Sequence, residues 1–212
     1  MAAPRTATAE AVPPPRLWDP LVRLTHWGIA FVVLANGLVN KGGSLVHVSL
    51  GWAVMALLLS RLVWGVLGPY EARFSAFPPN PVAAARHLGQ LISGRVRRYP
   101  SHNPAGALAI YAFWTLLAAV IVTGLVLTGG ATPMQVAADK AAVASGDWSA
   151  LIREDEGDEG DSPLREVAEE AHEVASNLLL VLAALHVAGV FVEGRAMRRN
   201  LVAPMLFGER RR

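Results

Sequence analysis

Six histidines occur in the chain, His26, His47, His87, His102, His172 and His186, and there is no cysteine. Without thiolates, disulfide frameworks, thiolate zinc sites, iron–sulfur clusters and covalent haem attachment are excluded, so any redox chemistry must use something other than cysteine sulfur. His26, His47, His172 and His186 lie within or at the border of long apolar stretches. Ionisable groups in such stretches are costly in a bilayer, face the protein interior and mark function. His87 and His102 fall in a basic connecting segment and are expected to be surface residues.

His172 and His186 are fourteen residues apart in one apolar stretch. At about 100° per residue they return to nearly the same helix face, roughly 21 Å apart along the axis. Two ligands so placed imply two sites, one above the other. Because successive spans reverse direction, His26 early in the first shares a level with His186 late in the fourth. His47 and His172, both early in their spans, share the other level. Each layer thus takes one histidine from the fourth span and one from a different helix.

Two imidazoles without a carboxylate at their depth do not suit zinc or a di-iron centre, which want three or four protein ligands. The nearest acids, Glu169, Glu170 and Glu173, sit at the mouth of the fourth span. Non-covalent haem fits instead, with an axial imidazole on each face closing the iron to other ligands, a centre that transfers electrons rather than activating oxygen. The competing reading is a transporter using the histidines as a proton relay. It predicts no chromophore and wants a polar path that these spans mostly lack. Arg61, fourteen residues after His47, lies level with His26 and His186. Two readings of it stand: a partner for a haem propionate, or a side chain reaching out to the headgroups.

The elements that must carry these residues are four apolar stretches, 18–39, 45–67, 107–128 and 167–192, each long enough to cross a hydrocarbon layer. The composition agrees: 53% of residues are hydrophobic, 17% are charged and the mean hydropathy is +0.36, far from a soluble mix. The expected fold is all-α, an integral membrane four-helix bundle enclosing two stacked haems. Residues 1–16, rich in Ala and Pro, read as a disordered tail without a signal-peptide pattern, 17–208 as the membrane domain, and 209–212 as a basic tail.

Charge sorting orients the bundle. Residues 68–106 hold Arg73, Arg86, Arg95, Arg97 and Arg98 against Glu71, and the segment from Glu193 onward holds six arginines against two glutamates. Residues 129–173 hold twelve acids and three bases. Four spans put both termini on the basic side, expected to be the cytoplasm of a bacterium, with the acidic loop 129–165 in the periplasm. The run Glu154 to Asp161 in that loop is either a solvated linker or a docking surface for a basic redox protein. After Pro78-Pro79-Asn80-Pro81 a short amphipathic helix is expected. Gly28, Gly37, Gly51, Gly124 and Gly189 lie within spans and permit close backbone approach.

With these residues in place the chain resembles the prokaryotic cytochrome b561 family. The resemblance is carried by Trp18-Asp19-Pro20-Leu21-Val22-Arg23-Leu24-Thr25-His26-Trp27, by His47 with Gly51-Trp52, and by Arg61-Leu62-Val63-Trp64-Gly65. It continues through Tyr99 with His102-Asn103-Pro104, Glu170-Ala171-His172-Glu173 and Leu185-His186-Val187-Ala188-Gly189. It implies two haem b groups with the four histidines as axial ligands. It also implies electron transfer between a donor and a quinone, ubiquinone or menaquinone, or a partner subunit. The expected partners are the lipid bilayer, quinone, and a soluble periplasmic redox protein or oxidoreductase subunit, and nucleic acid is not among them. Within that class a stand-alone quinone-coupled oxidoreductase, such as a superoxide oxidase, is the alternative role. The acidic loop disfavours an anionic substrate unless a base such as Lys41 offsets it.

Overall fold

The computed structural model describes residues 19–95, 99, 102–148 and 162–208, and among them all regular structure is helical. The Ala/Pro-rich tail, the acidic run from Glu154 to Asp161, Arg97, Arg98 and residues 209–212 lie outside the described residues. In chain order the α-helices are α1 (Pro20–Leu38), α2 (Leu45–Leu67), α3 (Pro81–Ile92), α4 (Pro104–Leu127), α5 (Pro133–Ser145), α6 (Pro163–Ala196) and α7 (Val202–Phe207). Of these, α1, α2, α4 and α6 are long and apolar enough to cross a membrane.

Five helices start on the same local device, a capping side chain followed by proline. Asp19-Pro20, Asn80-Pro81, Asn103-Pro104, Thr132-Pro133 and Ser162-Pro163 open α1, α3, α4, α5 and α6. In each, the polar side chain accepts a bond from an orphan N–H of the first turn, where proline's missing N–H costs nothing. The Ser162-Pro163 start explains why α6 begins before residue 167: its opening turns are polar but well capped, so the helix runs on from the apolar stretch. Helix α5 lies within the connecting segment 129–165 between two spans. Thr132 and Gln135 form a reciprocal capping box, and Gly146 closes the helix at φ 76° in the left-handed region.

The helices pair as α1 with α2 and, most extensively, α4 with α6, with α1 also meeting α6 and α2 meeting α4. The end where α1 begins and α6 finishes, flanked by Arg73, Arg86, Arg95, Arg195 and Arg198, is the basic end; the other is the acidic end. At the acidic end the Trp52 indole donates to the Ala131 carbonyl at 3.1 Å, and Arg165 donates to the Leu127 carbonyl at 2.9 Å. At the basic end, Arg23 donates to the carbonyls of Met205 and Leu206, and Trp27 donates to Met205, so α1 holds the last turn of α7. Arg23 is thereby spent on orphan helix carbonyls at the end of a span.

Midway between the ends, Val32, Val54, Leu58, Leu117 and Leu179 form a buried cluster drawn from all four spans. Many large apolar side chains outside it, among them Phe31, Leu59, Val122 and Val181, are more than half exposed. That outward apolar surface is what a bilayer, unlike water, would accept.

Candidate functional site

The fold brings the four intramembrane histidines together as two pairs. The rings of His26 and His186 have centres 6.2 Å apart with planes inclined at 56°, toward the basic end. Those of His47 and His172 are 6.3 Å apart at 59°, toward the acidic end. The apolar cluster separates them, with Leu179 seven residues from either histidine of α6. Among the described residues no group of three or more His, Asp or Glu side chains converges as a metal site.

The spacing within each pair has a chemical reading. An imidazole nitrogen sits about 2 Å from a ligated metal and about 1.2 Å from its own ring centre, so two rings facing across one ion have centres about 6 Å apart. Hydrogen-bonded histidines in direct contact would lie closer. The rings are also poorly served by the protein: the Nδ1 atoms of His26 and His47 are buried without a hydrogen-bond partner. Gly51, one turn after His47, and Gly189, one turn after His186, have nothing within 4 Å of where a side chain would begin. The histidine-bearing faces of α2 and α6 thus border open space, as a flat ligand requires. Gly28, Gly37 and Gly124 do the opposite work of close packing, against Leu57, Leu180 and the His172 ring.

Arg61 is 6% exposed. It does not reach out to headgroups: one guanidinium nitrogen donates to the Ala72 carbonyl at 3.2 Å, and the group lies 5.2 Å over the Trp114 ring. The other terminal nitrogen, Nη1, is buried without a partner. The segment over it is held by Gly65, whose absent side chain admits the Phe74 ring; a Cβ there would lie 2.2 Å from it. A buried guanidinium over an aromatic face with an unspent N–H is suited to an anion.

His87 and His102 correct the expectation that they are surface residues. His87 is 3% exposed, edge-on to Tyr99, with Nε2 3.8 Å from the Glu193 carboxylate, which also accepts from Asn103 at 2.5 Å. Glu193, at the end of α6, thereby ties down both α3 and the start of α4. His102 packs its ring 4.8 Å from that of Phe77. Burial, and then the charge of Arg61, push its pKa from 6.5 down to about 4. In the unfolded chain it takes a proton near its ordinary pKa, so between pH 6.5 and about 4 the unfolded state binds the extra proton and stability falls as pH falls. A His102→Gln variant is expected to lose less melting temperature than the native protein on acidification through that window. Equal losses in detergent melts would contradict this origin of the acid sensitivity.

A family model, prokaryotic cytochrome b561, matches residues 17–208. The chain belongs to that family. It is a multi-pass membrane protein of a family of b-type haem electron carriers. No curated protein and no solved structure matches the chain. Sequence reasoning singled out the four histidines, which the fold brings into two pairs, and Arg61, which it buries. It missed Thr123, whose hydroxyl lies 2.9 Å from Nδ1 of His172, because one threonine in an apolar helix carries no signal until the facing helix is known.

Proposed function

We propose that the protein carries electrons across a bacterial inner membrane through two haem b groups. His26 and His186 would ligate one iron and His47 and His172 the other. The reading is carried by the two histidine pairs at metal-bridging separation, in separate layers of one bundle. Haem b, when bound, supplies reversible one-electron iron chemistry. The chain's residues do the rest. Holding each iron between two imidazoles would suit the group to electron transfer rather than to oxygen or substrate chemistry. The apolar cluster between the layers keeps water and protons from following the electron. That same cluster argues against a histidine relay for protons or ions. Arg61 would hold a propionate of the group at the basic end, spending its free Nη1 there.

With the basic end cytoplasmic by the charge rule, both termini lie inside and the acidic end faces the periplasm. Electrons would pass between membrane quinone, ubiquinone or menaquinone, and a periplasmic redox protein or an oxidoreductase subunit. The reduced-minus-oxidised visible spectrum of the purified protein, with a pyridine haemochrome assay, should show haem b at two per chain. Absence of b-type bands, or a single haem, would overturn the two-centre reading.

A further inference from the structure

The two layers are not supported alike. In the layer at the acidic end, Thr123 of α4 places its Oγ1 2.9 Å from Nδ1 of His172 on α6. The same oxygen lies 2.7 Å from the carbonyl of Ala119 and 3.2 Å from that of Val120, in its own helix. A hydroxyl has one proton. If that proton went to the histidine, Oγ1 would face the Ala119 carbonyl at 2.7 Å with no hydrogen between two oxygens. The proton therefore belongs to the helix carbonyl, and the lone pair of Oγ1 accepts from an N–H on Nδ1 of His172. With its hydrogen on Nδ1, the imidazole presents the lone pair of Nε2.

The surroundings reinforce that pose. The residue after Thr123 is Gly124, and a Cβ there would come within 3.3 Å of the His172 ring, so α4 offers the ring both a notch and an acceptor. The partner histidine has nothing comparable, its Nδ1 being buried without a hydrogen bond.

We propose that Thr123 is a positioning residue for the metal centre at the acidic end, fixing the tautomer and ring orientation of His172 and, by accepting its N–H, making it the stronger electron donor of its pair. The proposal rests on His172 being an axial ligand. Outer partners of ligating histidines act in this way and typically alter metal affinity by about 10–100-fold. A better donor stabilises the oxidised iron, so loss of the hydroxyl should raise the midpoint potential of one centre and leave the other in place.

The test uses the full-length holoprotein in detergent. Thr123→Val keeps the shape and removes the hydroxyl acceptor, leaving only the Val120 carbonyl that also hydrogen-bonds the His172 ring, and Thr123→Ser restores the hydroxyl. Thr115→Val removes a comparable hydroxyl, bonded to the Tyr111 carbonyl at 3.0 Å on an exposed face of the same helix. Haem release to a haem-scavenging apoprotein and a redox titration resolving both centres are the readouts. Thr123→Val is expected to release one of its two haems about 10–100-fold more readily and to raise that centre's potential. Thr123→Ser and Thr115→Val should behave as the native protein does.

Native release and potentials in Thr123→Val, or equal changes at both centres, would overturn the proposal. In the native protein, nitrogen-15 spectra of labelled histidine should show the Nδ1 proton of His172 protected from exchange, and fast exchange would overturn it without any variant. His172→Ala separates the two levels of argument. If that chain keeps both haems, the ligand assignment is wrong; if it loses one while Thr123→Val is silent, only the role of Thr123 falls.

Discussion

A His186→Ala chain is expected to hold one haem where the native chain holds two. His186 and His26 face each other at 6.2 Å, from α6 and α1, and no third His, Asp or Glu converges on them among the described residues. Truncating one therefore leaves a single imidazole, and a non-covalent haem depends on the pair for its place. The visible amplitude should fall to about half, and the haem that stays should keep its low-spin spectrum, because the apolar cluster insulates the other layer. His172→Ala should remove the other haem, distinguishable by its midpoint potential, and the double variant should be colourless. Retention of two low-spin haems by either single variant would refute the pairing. The measurement should report haem per folded chain, since a half-filled bundle also loses ligand-linked stability.

Arg61→Gln is the second large effect, and it should fall on the basic-end haem alone. Arg61 is buried, spends one N–H on the Ala72 carbonyl and leaves Nη1 without a protein partner. Burying a guanidinium with an unmet N–H costs about 1–3 kcal/mol, a cost that a propionate on Nη1 would offset. Removing one side of a buried, hydrogen-bonded charge pair typically costs 2–5 kcal/mol, about 30-fold to a few thousand-fold in affinity. Faster release of one haem is therefore expected, with a downward shift in its potential, since the loss of a positive neighbour and a bared carboxylate both favour the oxidised iron. Arg61→Lys should rescue poorly, because a point charge reproduces neither the planar stacking on Trp114 nor the forked donors. Unchanged haem retention in Arg61→Gln would return Arg61 to a purely structural role beneath residues 70–77.

Much of this molecule is local information. The cap-and-proline pairs mark five helix starts directly, α5 among them through Thr132-Pro133 with Gln135 and Gly146. The histidine layers could be read because fourteen residues make nearly four helical turns, so spacing along one helix fixes face and depth together. His87 and His102 were misjudged for the opposite reason. Whether a connecting-segment histidine is buried depends on what folds over it, here Glu193 and Tyr99 for one and Phe77 for the other.

By itself, then, the amino-acid sequence determined four apolar helices, their alternation, two levels of imidazole and the absence of any thiolate ligand. Those are properties of composition and period, which a helix converts into geometry without help from the rest of the chain. Tertiary structure alone decided which atoms face each other: the 6.2 and 6.3 Å separations, the inward turn of Arg61 onto Trp114, and the Thr123 hydroxyl on His172. Each of these depends on the rotation of one helix against its neighbour. That rotation is set by packing, such as Leu57 on Gly28 and Phe74 on Gly65, and no residue's own neighbours in sequence encode it.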